Sequence, residues 1–147
     1  MKSINPYLHF MGNASAAMKF YKSVFGGEFA TFQRFGDIPG GEKMSEEDQA
    51  KLIHASLPIG GGNLIMATDS LESMGQTVVP GNNFHIVVHT DSEEETDILF
   101  AKLSNGGEIE MPLNRTFWGA YFGMCRDKFG IQWMINFDVP KTTKPIV

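Results

Sequence analysis

At 147 residues, 42% hydrophobic and 12% aromatic, the chain is long enough to fill the core of one domain, or of two small halves sharing a core. A net charge of −5 argues against a nucleic-acid surface, which needs clustered Lys and Arg, and the single Cys125 excludes an internal disulfide and a cysteine-based zinc site. No run is long and apolar enough for a membrane span, and the start MKSINPYLHF lacks the apolar stretch of a signal peptide, so a cytoplasmic protein is expected.

In chain order, NPYLHF predicts a short strand and the segment after Asn13 a helix. Asn13 is placed to cap it. Ala16, Ala17, Phe20, Tyr21, Val24 and Phe25 recur at helical spacing as its apolar face, and Gly26 stops it. Strands follow in GGEFATFQRF, IHASLPI and NLIMATD, with Gly60-Gly61-Gly62 as the turn between the last two. The intervening MSEEDQAKLI predicts one short helix, capped by Ser45, with a solvated charged face.

The second half opens with a strand in NFHIVVHT. Ser92 and Glu95 then fit a capping box, and Glu93, Glu94 and Glu95 complement the positive start of a helix. Thr96, Leu99, Phe100 and Leu103 face inward, and Gly106 ends the helix. Three strands follow in EIEMPLNRT, WGAYFGMCR and IQWMINF, the last two joined by a DKFG turn. The tail, 139–147, is polar and expected to be loose.

These halves repeat. Gly26-Gly27-Glu28 recurs as Gly106-Gly107-Glu108, 80 residues on, which sets Phe20 opposite Phe100 and Met18 opposite Ile98. Each half reads strand, helix, three strands. The fold class is therefore α+β: two tandem βαβββ modules, about 4–70 and 82–138, in one domain spanning 1–147. A helix covers only one face of such a module. Two modules side by side would form a curved mixed sheet around a cleft, with the helices on the outer face.

The stretches PYLHFMGNASAAMKFYKSVFGGEF, IHASLPI and FGMCRDKFGIQWMINF resemble the glyoxalase, bleomycin-resistance and extradiol-dioxygenase superfamily, the vicinal oxygen chelate proteins, and within it the PhnB-like branch. The resemblance covers nearly the whole chain. It implies pairing of two chains into a homodimer. Members of the branch often carry a 3-demethylubiquinone 3-methyltransferase label. The sequence has no strand followed by a Gly-rich nucleotide turn and an acidic ribose partner to support methyl transfer.

The resemblance also implies metal ligands on the first and last strands of each module, at places that fall near Pro6, Met66, His85 and Met134. His85 fits. Pro6 has no ligating side chain, although Asn5 is adjacent, and thioethers are poor ligands for Mg²⁺, Mn²⁺, Ni²⁺ or Zn²⁺. One histidine of four is no hard-metal site, since such catalytic sites generally use three protein ligands.

The period of two along a strand puts His85, Val87 and His89 on one side, with His89 about 13 Å beyond His85, too far to share an ion. His54 is the other candidate ligand, placed beside Met66, and the face of His9 is open. The competing reading is that these are ordinary strand histidines with satisfied hydrogen bonds. Trp118, Tyr121 and Trp133 read as core aromatics, with lining of a cleft as the alternative, and Trp133 belongs on the helix side. Cys125, inside an apolar strand, reads as inert. Arg115 and Arg126 read as surface residues, with an anionic ligand as the alternative.

The sequence thus predicts a small-molecule binding protein with an apolar cleft lined by Leu64, Met66, His85, Val87, Gln132 and Met134, and no assigned catalytic residue. Absence of a metal is favoured. The alternative is a metal-dependent lyase, isomerase or dioxygenase holding a divalent ion through His54, His85 and a further ligand.

Overall fold

A computed structural model of the protein describes residues 1–140; of the expected loose tail, residues 141–147 lie outside the described part. The chain divides into two units, Met1–Val79 and Pro80 onward, and each holds one predicted βαβββ module with its own four-stranded mixed sheet.

Module 1 consists of β1 (Tyr7–Phe10), α1 (Ala14–Phe25), β2 (Thr31–Arg34), the short α2 (Glu46–Gln49), β3 (Leu52–Pro58) and β4 (Leu64–Asp69). Its strand order is β1-β4-β3-β2, with β1 parallel to β4 and the other pairs antiparallel. Helix α1 packs on β3 and β4. Leu8, Ala55, Leu57, Ile65 and Ala67 are buried on that side. The helix contributes Ala14, Ala17, Met18, Tyr21 and Val24. The predicted apolar face is therefore rotated: Ala16 is exposed, Phe20 is only half-buried, and Met18 fills the place expected for Phe20.

The helix start also differs from expectation. Asn13 occupies the cap position without a side-chain hydrogen bond. Instead the buried Asp69, at the end of β4, accepts from Gly12 N and Ala14 N through Oδ1 and from Leu52 N through Oδ2. One carboxylate thus satisfies the helix start and ties it to β3 and β4. Ser45 caps α2 as predicted, accepting from Asp48 N. The charged face of α2 is not wholly solvated: Asp48 is buried and bonds Ser73 and Lys51. Both bonds lower the pKa of Asp48, that from Ser73 most.

Module 2 consists of β5 (Ile86–His89), α3 (Glu93–Ser104), β6 (Glu108–Arg115), β7 (Ala120–Arg126) and β8 (Gln132–Asp138), in sheet order β5-β8-β7-β6. The Ser92 cap forms, accepting from Glu95 N, and Glu95 reaches back to Asp91 N. Thr96, Phe100 and Leu103 are buried and Leu99 half-buried, as predicted.

The repeated Gly-Gly has a physical cause. Gly26 and Gly106 take left-handed backbone, φ 78° and 79°, where each helix ends. A Cβ on Gly27 would meet Pro58 O, and one on Gly107 would meet Arg126 O. The second glycine lets the chain pass closely against a strand.

The DKFG turn is equally specific. Buried Asp127 accepts from Phe129 N and Ile131 N through Oδ1, and from the Trp133 indole Nε1 through Oδ2. Trp133 is fully buried on the helix side beside Cys125. Trp118, by contrast, is 61% exposed, because it sits in the loop before β7 and packs edge-on against the exposed Phe117.

Candidate functional site

Register decides which side chains share a face. In module 1, Tyr7 pairs with Met66, which pairs with Ser56. His9 pairs with Thr68, which lies across from His54 by continuation of the Ala55–Ala67 pairing. With the period of two, Tyr7, His9, His54, Leu64, Met66 and Thr68 all lie on the face away from α1. His54 and Met66 share this side as expected, and the face of His9 is settled.

In module 2, Val87 pairs with Met134, which pairs with Met124. His89 pairs with Asn136, and Asn136 with Phe122. These, with His85 and Gln132, form the face away from α3. The two faces correspond: Tyr7–Met66 in module 1 matches Val87–Met134 in module 2. Met66 and Met134 are half-buried on interior strands of their sheets, and Val87 is exposed. This register corrects one expected correspondence. The counterpart of His85 is Asn5, two residues before Tyr7, and not Pro6. Asn5 Oδ1 accepts from Leu64 N, at the start of β4.

Each face holds an oriented histidine pair. In module 1, Tyr7 Oη lies 2.9 Å from His54 Nδ1. In module 2, His85 Nε2 lies 2.9 Å from Glu110 Oε1, with His85 half-buried and Glu110 on an exposed strand. Glu110 comes from β6, whose register shifts between Ile109 and Met111. Sequence reading missed both Tyr7 and Glu110. The alternation Glu108, Glu110 was visible, but which strand would face it was not.

Gln132 is buried with both amide ends engaged: Nε2 donates to Phe84 O, and Oε1 accepts from Arg126 Nη2 at 2.6 Å. It positions Arg126 and the start of β5. Arg126 also donates to Gly130 O, and Arg115 pairs with Glu93 at 2.6 Å. His89 is exposed beside Asn136. Burial pushes the Cys125 thiol up to about 12, so it is protonated and inert at neutral pH. Among the described residues, no three His, Cys, Asp or Glu side chains gather as a metal site, and no helix is long and apolar enough to cross a membrane.

The profile of the Glyoxalase/Bleomycin resistance protein/Dioxygenase superfamily matches residues 3–135. The chain belongs to this superfamily. It is 34% identical over 141 residues to protein YjdN of Escherichia coli, covering 90% of this chain and 93% of that one. The crystal structure of protein PA1353 from Pseudomonas aeruginosa superposes with a TM-score of 0.82 at 35% identity, covering 94% and 98% of the two chains. A PhnB protein from Bacillus cereus, provisionally named a 3-demethylubiquinone-9 3-methyltransferase, follows with a TM-score of 0.74 at 29% identity, covering 92% and 98%. The superfamily fold and the PhnB-like likeness read from the sequence therefore stand.

Proposed function

We propose that this superfamily member binds a small, mainly apolar molecule on the helix-free faces of its sheets, where thioethers replace the ligands of metal-dependent relatives. The observation that carries this reading is the matching placement of Met66 and Met134. Each is half-buried on an interior strand of its module and faces away from the helix. Methionine makes an adaptable apolar surface. On each face one pair supplies oriented polar groups for a ligand bound there, Tyr7–His54 in module 1 and His85–Glu110 in module 2.

Methyl transfer, suggested by the name of the Bacillus cereus relative, has no support here. Gly60-Gly61-Gly62 forms a hairpin loop closed by Asn63 N to Gly60 O and Ile59 N to Asn63 O. Among the described residues, no glycine-rich turn stands between a strand and a helix to cradle a nucleotide.

The test uses an apolar fluorescent probe, anilinonaphthalene sulfonate, with the folded protein. It is expected to bind, and Met134→Lys to weaken binding by about tenfold, the equivalent of ~1.4 kcal/mol. Equal binding by a folded Met134→Lys protein would overturn the assignment of the face. A second reading, a metal-dependent lyase or isomerase, draws on the His85–Glu110 pair, a nitrogen and an oxygen donor already adjacent. One equivalent of metal, retained through dialysis and lost in Glu110→Gln, would favour it.

A further inference from the structure

Module 1 carries a side-chain cluster that module 2 does not repeat. Tyr7, His9 and His54 share its helix-free face, whereas the corresponding rows of module 2 hold Val87, His89 and Phe122. Tyr7 reaches diagonally over β4, placing Oη 2.9 Å from His54 Nδ1. Its ring centre lies 5.5 Å from that of His9 and 5.6 Å from that of His54. Tyr7 is thus in ring contact with two imidazoles that project from strands on either side of β4. Two strand spacings, roughly 10 Å, separate those backbones, a span that two inward-leaning imidazoles and one ion can bridge.

We propose that His9, His54 and Tyr7 form a binding site for a divalent first-row transition ion, Cu²⁺ or Zn²⁺, with water completing its shell. Imidazole nitrogen suits these ions. Two donors each about 2.1 Å from an ion stand roughly 3.0–3.4 Å apart at octahedral to tetrahedral angles. The observed Tyr7–His54 separation is close to that edge length, so the pair needs little movement. His9 is exposed and can turn its ring toward the phenol oxygen, and the exposed side of Tyr7 gives an ion and its waters a way in. The hydroxyl of Thr68, between the histidines, is turned away and donates to Ile53 O at 2.7 Å. Binding would exchange the phenol proton, released to solvent, for the ion. The net charge of −5 attracts a cation.

This set draws on the first and third strands of one module and uses none of Pro6, Met66, His85 or Met134. It does not rest on the small-molecule reading. The full chain, purified without added ions and dialysed against a chelator, is titrated with Zn²⁺ alone and with Cu²⁺ alone by calorimetry. One equivalent is expected to bind with a Kd of about 10 μM or tighter, and His9→Ala and His54→Ala each to weaken binding by about tenfold or more. His89→Ala should bind unchanged. With Cu²⁺, Tyr7→Phe should lose the visible phenolate-to-copper absorption of the natural protein while circular dichroism shows the fold retained. His9 is exposed, so the His9→Ala result reads binding and not folding. Absence of binding, binding unchanged in the folded His9→Ala protein, a copper spectrum unchanged in Tyr7→Phe, or binding lost in His85→Ala would each overturn the site.

Discussion

The carboxylate of Asp69 receives three backbone N–H groups from two segments, Gly12–Ala14 and Leu52. Asp69→Ala would leave these donors without that acceptor where the site is buried, and each such loss costs ~1–3 kcal/mol before water or relaxation compensates. A destabilisation of about 3 kcal/mol is expected in urea unfolding; less than about 1 kcal/mol would show that the donors find other partners. Cys125 makes a pH-dependent prediction. Its thiol titrates at about 12 in the fold against 9.0 in an ordinary environment, because burial disfavours the thiolate and the Asp127 charge adds to the effect. Between those values the unfolded chain loses this proton and the folded chain keeps it. The unfolded state is then favoured, and stability falls as pH rises from about 9 towards about 12. Cys125→Ala should flatten that decline, read from urea midpoints against pH. The natural protein should also resist thiol reagents at pH 8 until unfolded.

At the scale of elements, helix α1 was legible in position and length but not in rotation. Apolar residues lie nearly all round it: Ala16, Ala17, Met18, Phe20, Tyr21, Val24 and Phe25. Periodicity alone could not choose between a face centred on Phe20 and one centred on Met18 and Tyr21. The sheet chose the latter, leaving Phe20 at the margin against Tyr21. Met18→Ala should therefore cost about 2–5 kcal/mol, and Phe20→Ala distinctly less. Urea midpoints of the two variants check this, and the reverse order would restore the rotation read from sequence. Helix α3 held no such ambiguity, since its polar residues leave one narrow stripe and Ser92 supplies its own cap. The cap of α1 was misread because its acceptor, Asp69, is 55 residues from Ala14 in the chain.

For the whole molecule, strand β6 has an exposure pattern unlike the others. It is at one edge of its sheet, every residue but Leu113 is exposed, and Ile109 and Met111 are among the exposed apolar side chains. An unpaired edge with apolar side chains is a surface that proteins usually cover. We predict a homodimer, with light scattering at micromolar concentration giving about twice the 16.3 kDa chain mass. A monomer would show that the edge is tolerated in water.

Local patterns, the repeat and the quoted motifs set the order of elements, the two modules and the superfamily likeness. Strand and helix periods, caps and the Gly-Gly-Glu triplets are local or regularly spaced signals that survive in one dimension. DKFG was legible as a turn, although the roles of Asp127 needed the structure. What the tertiary structure decided is register, and with it the site. Pairing Tyr7 with Met66 and Val87 with Met134 sets Asn5 opposite His85, in agreement with the 80-residue repeat, and fixes which side chains share their faces. The same pairing put His9 and His54 on one face. The shifted register of β6 accompanies the contact of Glu110, on that edge strand, with His85, the residue before β5 at the other edge of the same sheet. A one-residue change of register sends every side chain of a strand to the opposite face, so the residues that could act together follow from hydrogen bonding between distant strands, which composition and spacing do not encode.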